Sequence, residues 1–219
     1  ICACLVGSEM CIRDSIYIDP YKIENETHNA KYLFITHSHY DHFSIEDIEK
    51  VRNEDTIFFV TPDCKEKLLE IGVDEKRIVT VAPDEMYKFN KIEVQVIPAY
   101  NIDKEYHKKE YGWVGYLIKI NGVTYYITGD TDANEEIQNI KCDVLFVPIG
   151  GTYTMDYKEA ANFTNIIKPK YVIPIHYGTI VGKKEDGIEF AKLLDTKIEC
   201  LIFLSLIHIS EPTRHAQIS

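Results

Sequence analysis

The sequence predicts a mixed α/β or α+β fold, and three observations lead to this. Short apolar runs, typical of buried strands, recur along the chain, and segments with helical spacing lie between several of them. Asn121-Gly122 joins two such runs, and this dipeptide is a strong signal for a two-residue hairpin turn. Periodicity alone does not decide how the strands form sheets, so the residues leave both fold classes open.

The predicted strands come first in meander-like blocks and then in strand–helix units. They are apolar or alternating segments at 16–19, 31–35, 56–60, 78–81, 91–97, 115–120, 123–127, 144–148, 171–175 and 198–203. The predicted helices lie at 44–51, 61–72, 133–137, 156–167 and 185–194. Ser44 is in an N-cap position, and Gly72 is the expected C-terminal stop of the second helix. Asp132 is interpreted as the cap of the short third helix.

Three imidazoles and a carboxylate follow the predicted strand at 31–35. The stretch reads His37-Ser38-His39-Tyr40-Asp41-His42. His37 and His39 are two residues apart, so they point the same way in an extended backbone, while Asp41 and His42 face a second point. Neutral imidazole and carboxylate are common ligands of divalent metal ions. The stretch therefore predicts a metal site on a strand-to-helix turn, in preference to a polar surface loop.

This His-x-His-x-Asp-His pattern resembles the signature of the metallo-β-lactamase superfamily. Two later segments, Thr128-Gly129-Asp130-Thr131 and Ile175-His176-Tyr177-Gly178, resemble the next metal motifs of that family in the same order. The resemblance covers about 16–203 and implies one domain with a four-layer αββα sandwich. The pattern over the whole chain looks most like the branch that contains ascorbate-6-phosphate lactonase-like proteins.

The resemblance also implies a centre with two divalent metal ions. The implied ligands are His37, His39, Asp41, His42, His107, Asp130 and His176. Asp130 would bridge the two ions. The family has a middle histidine directly after the strand ending at Ile97, where this chain has Pro98-Ala99-Tyr100-Asn101. Either His107 is the third ligand of the first ion, or Asn101 or water fills that position, or the enzyme uses a single ion.

The function implied by the resemblance is that of a metal-dependent hydrolase. It would attack an ester, lactone or phosphoester of a small substrate through a metal-bound hydroxide, with Asp41 and Asp130 as catalytic carboxylates. A second interpretation is a nuclease or phosphodiesterase of the same fold. A third is a metal-binding protein without turnover, which the altered middle ligand keeps open. Zinc suits the ligand types, and so do manganese, iron and nickel.

Composition limits the partners that we expect. The formal net charge is −11 and no basic stripe is visible, which argues against nucleic-acid binding but allows a small anionic substrate. No apolar run approaches the ~20 residues that a membrane span requires. Cys64, Cys142 and Cys200 are isolated, so neither a disulfide framework nor a cysteine zinc finger is indicated. We expect a cytoplasmic enzyme of small molecules, and the sequence gives no oligomeric state.

The two ends of the chain are expected to be non-native tails, at about 1–15 and 204–219. The segments 5–15 and 204–214 can be encoded by opposite strands of one DNA, which resembles a sequencing adapter translated at both ends. If so, the domain covers 16–203, and one or more N-terminal strands of the family fold are missing from this chain.

Overall fold

The computed structural model describes residues 3–6, 15–89 and 92–203, and the chain divides into two units. Of the described residues, those up to Val81 belong to the first unit and those from Ala82 belong to the second. Each unit has its own sheet. Among the described residues, none of the helices has the length and apolar character needed to cross a membrane.

The first unit contains a five-stranded sheet in the order β1-β2-β3-β4-β5. Its strands are β1 (Ala3–Val6), β2 (Ser15–Ile18), β3 (Ala30–Phe34), β4 (Ile57–Val60) and β5 (Ile78–Thr80). Helix α1 (Ile45–Val51) follows β3, and helix α2 (Pro62–Glu70) follows β4. The strands from β2 to β5 are parallel. Helices α1 and α2 make the crossovers from β3 to β4 and from β4 to β5, as parallel pairs require.

In this unit, α1 begins and α2 ends where the sequence predicts. The Ser44 hydroxyl accepts from the Asp47 amide at 3.3 Å and donates to the Asp47 carboxylate at 2.7 Å, which starts α1. Gly72 has φ +80 directly after α2, so it ends the helix in the left-handed conformation that glycine adopts without strain. Ile48 of α1 and Leu68 of α2 are fully buried in the core of the unit. The helices thereby cover the sheet and hold the end of β3 in place.

β1 lies within the segment that the sequence assigns to a non-native tail. It pairs antiparallel with β2, from Ala3 opposite Ile18 to Val6 opposite Ser15. An edge strand offers unpaired backbone groups, and an adjacent extended segment satisfies them whatever its origin. The non-native origin of this segment stays a prediction, and the second predicted tail lies outside the described residues.

The second unit contains a seven-stranded sheet in the order β12-β11-β10-β9-β8-β7-β6. Its strands are β6 (Met86–Phe89), β7 (Ile92–Pro98), β8 (Val114–Ile120), β9 (Val123–Ile127), β10 (Val144–Pro148), β11 (Tyr171–Ile175) and β12 (Glu199–Cys200). The run from β6 to β9 is an antiparallel meander, and the pairs from β9 to β12 are parallel. Helix α3 (Tyr157–Ile167) connects β10 to β11, and α4 (Asp186–Lys192) follows β11.

The order of these blocks differs from the prediction. Strand–helix units come first, in the first unit, and the meander opens the second unit. Apolar runs look alike in parallel and antiparallel sheets, so periodicity did not separate the two arrangements. The Asn121-Gly122 turn is confirmed, because both residues have positive φ, +50 and +85, between β8 and β9.

The predicted helix at 133–137 is wrong, because this segment forms turns. The Asp132 carboxylate does not cap it and accepts instead from the Ile102 amide at 3.1 Å. The Asn134 side chain accepts from the Glu136 amide, which gives a local turn in place of a helical bond. The predicted strand at 198–203 is reduced to β12, while β6 was missed because its residues alternate between exposed and half-buried.

Candidate metal centre

The end of β3 delivers the first group of predicted ligands, which we call the first cluster: His37, His39, Asp41 and His42. The Ile35 amide still bonds to the Phe59 carbonyl of β4 at 2.9 Å, and the chain leaves the sheet after this residue. The amides of His42 and Phe43 then both bond to the His39 carbonyl, at 3.0 and 2.8 Å. This tight turn folds the four side chains of the cluster back onto the end of the strand.

The imidazoles of the first cluster lie at distances that suit metal ligands. His37 Nε2 and His39 Nδ1 are 3.1 Å apart. Two nitrogens bound at about 2.0–2.1 Å to one tetrahedral ion would be separated by about 3.3 Å. The His37 and His42 rings have their centroids 4.0 Å apart, and His42 Nε2 lies 3.8 Å from Asp41 Oδ2. The first unit therefore brings together all four residues that the sequence predicted there.

A carboxylate that was not predicted as a site residue supports this cluster. Asp19 follows β2 and is buried, with 7% of its surface exposed. Its Oδ1 accepts from the Thr36 amide at 2.8 Å, and its Oδ2 accepts from the Thr36 hydroxyl at 2.7 Å. His42 Nδ1 lies 2.8 Å from the same Oδ2. Asp19 thus holds the residue before His37 and one imidazole of the cluster.

These hydrogen bonds determine which nitrogen of each ring carries the proton. A carboxylate only accepts, so His42 donates from Nδ1 and keeps a lone pair on Nε2. The Thr36 hydroxyl donates to Asp19 and therefore accepts from His37 Nδ1, at 2.9 Å. His37 then also keeps its lone pair on Nε2. One buried carboxylate consequently prepares two imidazoles to bind a metal through Nε2.

One feature of the sequence points to Asp19. It follows the strand at Ile18, and Pro20 comes directly after it. β2 and β3 are neighbouring parallel strands, so their carboxyl ends meet at one edge of the sheet. Two strand-end polar groups on adjacent parallel strands are expected to meet. The parallel pairing was not predicted, so the link to His42 was missed.

The second unit brings together the other predicted ligands, His107, Asp130 and His176, which we call the second cluster. Asp130 comes shortly after β9 and is buried, with 4% exposed. Its Oδ2 lies 3.4 Å from His107 Nε2 and 3.3 Å from His176 Nε2. Both histidines thus present Nε2 to a single carboxylate oxygen. A carboxylate oxygen and two imidazole nitrogens at these distances are donor atoms of the kinds that divalent metal ions bind.

Backbone conformation and close packing place His176 at the end of β11. The residue has φ +56, a left-handed conformation that is uncommon for a side chain other than glycine. Gly150, after β10, approaches its carbonyl so closely that a Cβ there would lie 2.3 Å from the His176 oxygen. The segment after β10 therefore needs glycine at this position.

The side chain of His107 approaches Asp130 from a loop, whereas the side chain of Asn101 donates to backbone carbonyls. The Asn101 amide nitrogen Nδ2 donates to the carbonyls of Tyr106 and Tyr153, at 3.0 and 2.7 Å. It also lies 3.3 Å from His107 Nδ1, and the Asn101 backbone amide bonds to the His107 carbonyl at 2.8 Å. The Trp113 ring packs edge-on against the His107 ring, with centroids 5.3 Å apart. His107 is thus the member of the pair whose side chain contacts Asp130.

The three described cysteines offer no nucleophile. Burial raises the pKa of the Cys64 and Cys142 thiols to about 12 and that of Cys200 to about 11. Thiols with such pKa values are protonated at neutral pH and react slowly. The functional groups of the two clusters are therefore imidazoles and carboxylates, with no thiol among them.

Comparisons with known proteins give a consistent result. Residues 12–176 match the family model described as the beta-lactamase superfamily domain. A UPF0173 metal-dependent hydrolase of Pyrococcus furiosus is 29% identical over 201 residues, covering 85% of this chain and 88% of the relative. Another, from Sulfurisphaera tokodaii, is 31% identical over 183 residues, covering 80% and 78%.

The fold is also that of solved structures. A structure from Parabacteroides distasonis superposes with a TM-score of 0.72 at 26% identity, covering 86% of this chain and 84% of that one. A metallo hydrolase of Ignicoccus hospitalis, Igni18, has a TM-score of 0.68 at 23% identity, covering 87% of each chain. These matches confirm the predicted fold class, the αββα metallo-β-lactamase sandwich.

Proposed function

The chain belongs to the beta-lactamase superfamily and is a metal-dependent hydrolase, and from this premise we propose a two-metal enzyme that cleaves esters, lactones or phosphoesters of a small substrate. The observation that carries the proposal is the preparation of His37 and His42 by Asp19. A polar surface loop would not explain why a buried carboxylate leaves the lone pairs of two imidazoles on Nε2. This is the arrangement that metal-binding histidines usually have.

The residues present fit divalent metal ions. The first cluster offers imidazole nitrogens at ligand-like separations, and the second offers two imidazoles around one carboxylate. By the sequence resemblance, His37, His39 and His107 would hold one ion, Asp41, His42 and His176 would hold the other, and Asp130 would be a ligand of both.

The proposed chemistry follows from this assignment. When bound, divalent ions lower the pKa of water towards neutrality and polarise the oxygen of the scissile group. Asp41 would accept a proton from the attacking water as the water oxygen bonds to the acyl carbon or the phosphorus. The bond to the leaving oxygen would then break, and Asp41 would return the proton to that oxygen. Asp19 and Thr36 keep the imidazoles of His37 and His42 oriented throughout.

The finer properties are also part of the proposal. Zinc is the proposed ion, because imidazole and carboxylate donors suit it well. A lactonase-like substrate follows from the sequence resemblance, and an anionic one is compatible with hydrolases of this mechanism. A cytoplasmic location is supported by Cys64, Cys142 and Cys200, which are free thiols in the fold.

A substrate panel tests the proposed reaction. The protein, loaded with zinc or manganese, is assayed on p-nitrophenyl acetate, short-chain lactones, bis-p-nitrophenyl phosphate and a single-stranded RNA. We expect hydrolysis of at least one small substrate, lost on treatment with a chelator and restored by adding the ion. The physical reason is that no other nucleophile activator is present among the described residues of the two clusters.

The alternatives give different results in the same assay. Cleavage of the RNA with no turnover of small esters or phosphodiesters would favour the nuclease interpretation. Metal binding without turnover of any substrate would favour a non-catalytic metal protein. Hydrolysis that is unaffected by the chelator would contradict the two-metal mechanism directly.

A further inference from the structure

The residue His107 is carried by a loop whose middle is exposed. We call residues 101–107 the His107 loop. Ile102 and Tyr106 on this loop are exposed, at 59% and 51%. The Tyr106 ring packs edge-on against the Tyr153 ring, with centroids 4.8 Å apart, and His107 is buried against Trp113. Because residues 102–106 bury little else, polar contacts contribute to where His107 lies.

The two ends of the loop are tied to each other. The Asn101 amide bonds to the His107 carbonyl at 2.8 Å, and Asn101 Nδ2 bonds to the Tyr106 carbonyl at 3.0 Å. The same Nδ2 reaches the Tyr153 carbonyl at 2.7 Å, in the segment after β10. These bonds close the loop and fix its base, but they leave its middle to other contacts.

The middle of the loop is held by Lys104 and Asp132. The Lys104 ammonium pairs with Asp132 Oδ1 and donates to the Thr154 carbonyl at 2.8 Å. The other oxygen of Asp132 accepts from the Ile102 amide at 3.1 Å. Lys104 and Asp132 are 25% and 15% exposed, so the pair is partly screened from water and stronger than a surface ion pair. Asp132 itself lies two residues after Asp130, the carboxylate that His107 faces.

We propose that Lys104 and Asp132 are positioning residues that hold His107 against Asp130 and thereby set the metal affinity of the site. This inference rests on the proposed function, because it takes His107 as a metal ligand. One carboxylate binds both a backbone amide of the loop and its lysine, and the lysine reaches the segment after β10. The loop is thus fastened to two separate parts of the unit through one ion pair.

The variant Lys104→Met tests this proposal, because it keeps the length of the side chain and removes its charge. Zinc affinity is measured by chelator competition, with Lys104→Arg as the rescue and Lys108→Met as the matched control. Lys108 is exposed and follows His107 directly. We expect Lys104→Met to weaken zinc binding by about 10-fold to 100-fold, the range typical of losing a residue that helps to orient a metal ligand. Lys104→Arg should recover most of the affinity, and Lys108→Met should match the wild type.

A second readout follows the loop without any metal. Glu105 is exposed in the middle of the loop, so a glutamate-specific protease reports on its opening in the metal-free protein. Lys104→Met should be cut there several times faster than the wild type, with an unchanged melting temperature. Zinc affinity that stays at the wild-type value in Lys104→Met would overturn the proposal, whatever the protease shows. A wild-type protein that binds no zinc would contradict the proposed function instead, and the protease would still report whether Lys104 holds the loop.

Discussion

Replacement of Asp130 with asparagine is expected to reduce hydrolysis on the order of a thousandfold or more. Both His107 Nε2 and His176 Nε2 lie within 3.4 Å of its Oδ2. Asparagine has nearly the same shape but lacks the negative charge, so it would bridge two cations poorly. Loss of several kcal/mol of charge stabilisation corresponds to this rate change. The rate on the best small substrate is compared with that of the wild type at saturating metal.

Glu135→Gln serves as the control for this variant. Glu135 is an exposed carboxylate close in sequence, and its neutralisation removes the same charge from the protein. We expect it to have the wild-type rate. If Asp130→Asn retained more than about a tenth of the wild-type rate, Asp130 would not have the proposed catalytic role.

The variant Asp19→Asn is expected to lower metal affinity by about 10-fold to 100-fold while the fold is retained. Asn tolerates the φ of +44 at this position, and its oxygen can still accept from the Thr36 amide. Its NH₂ group, however, would point at the Thr36 hydroxyl and at His42 Nδ1, where a proton acceptor is needed. His42 would then move its proton to Nε2, the atom proposed to bind the metal.

Nitrogen NMR of the metal-free protein checks this reason independently of the metal. We expect the wild-type His42 ring to carry its proton on Nδ1 and the variant ring to carry it on Nε2. Glu24→Gln, at an exposed position that follows the same strand, should leave both the tautomer and the affinity unchanged. An unaltered tautomer in Asp19→Asn would show that Asp19 does not orient the ring.

The sequence predicted that the four residues of the first cluster lie together, because they fall close in sequence on one turn. Their role as metal ligands stays a prediction. A strand that ends at a capped helix restricts the intervening residues so strongly that His37, His39, Asp41 and His42 had to lie close together. Asp130 and His176 were also found at the ends of predicted strands. In these cases the sequence around the residue was enough to predict where its side chain lies.

What the sequence could not predict depended on contacts between distant segments. Asp19 meets His42 from 23 positions away, through the parallel pairing of β2 with β3. The course of the His107 loop depends on Lys104 reaching residues 28 and 50 positions away. No periodic pattern encodes such a loop, so the residues left His107 and Asn101 as alternatives. For the same reason Asp132 was interpreted as a helix cap, although it fastens the loop.

The metal content of the wild type and of His107→Ala decides whether the chain binds two ions and whether His107 holds one of them. The proposal predicts two ions per chain in the wild type and about one in His107→Ala, measured by elemental analysis after removal of free metal. Two ions in both proteins would remove His107 from the ligand set and leave Asn101 or water at its position. One ion or none in the wild type would contradict the two-metal mechanism itself.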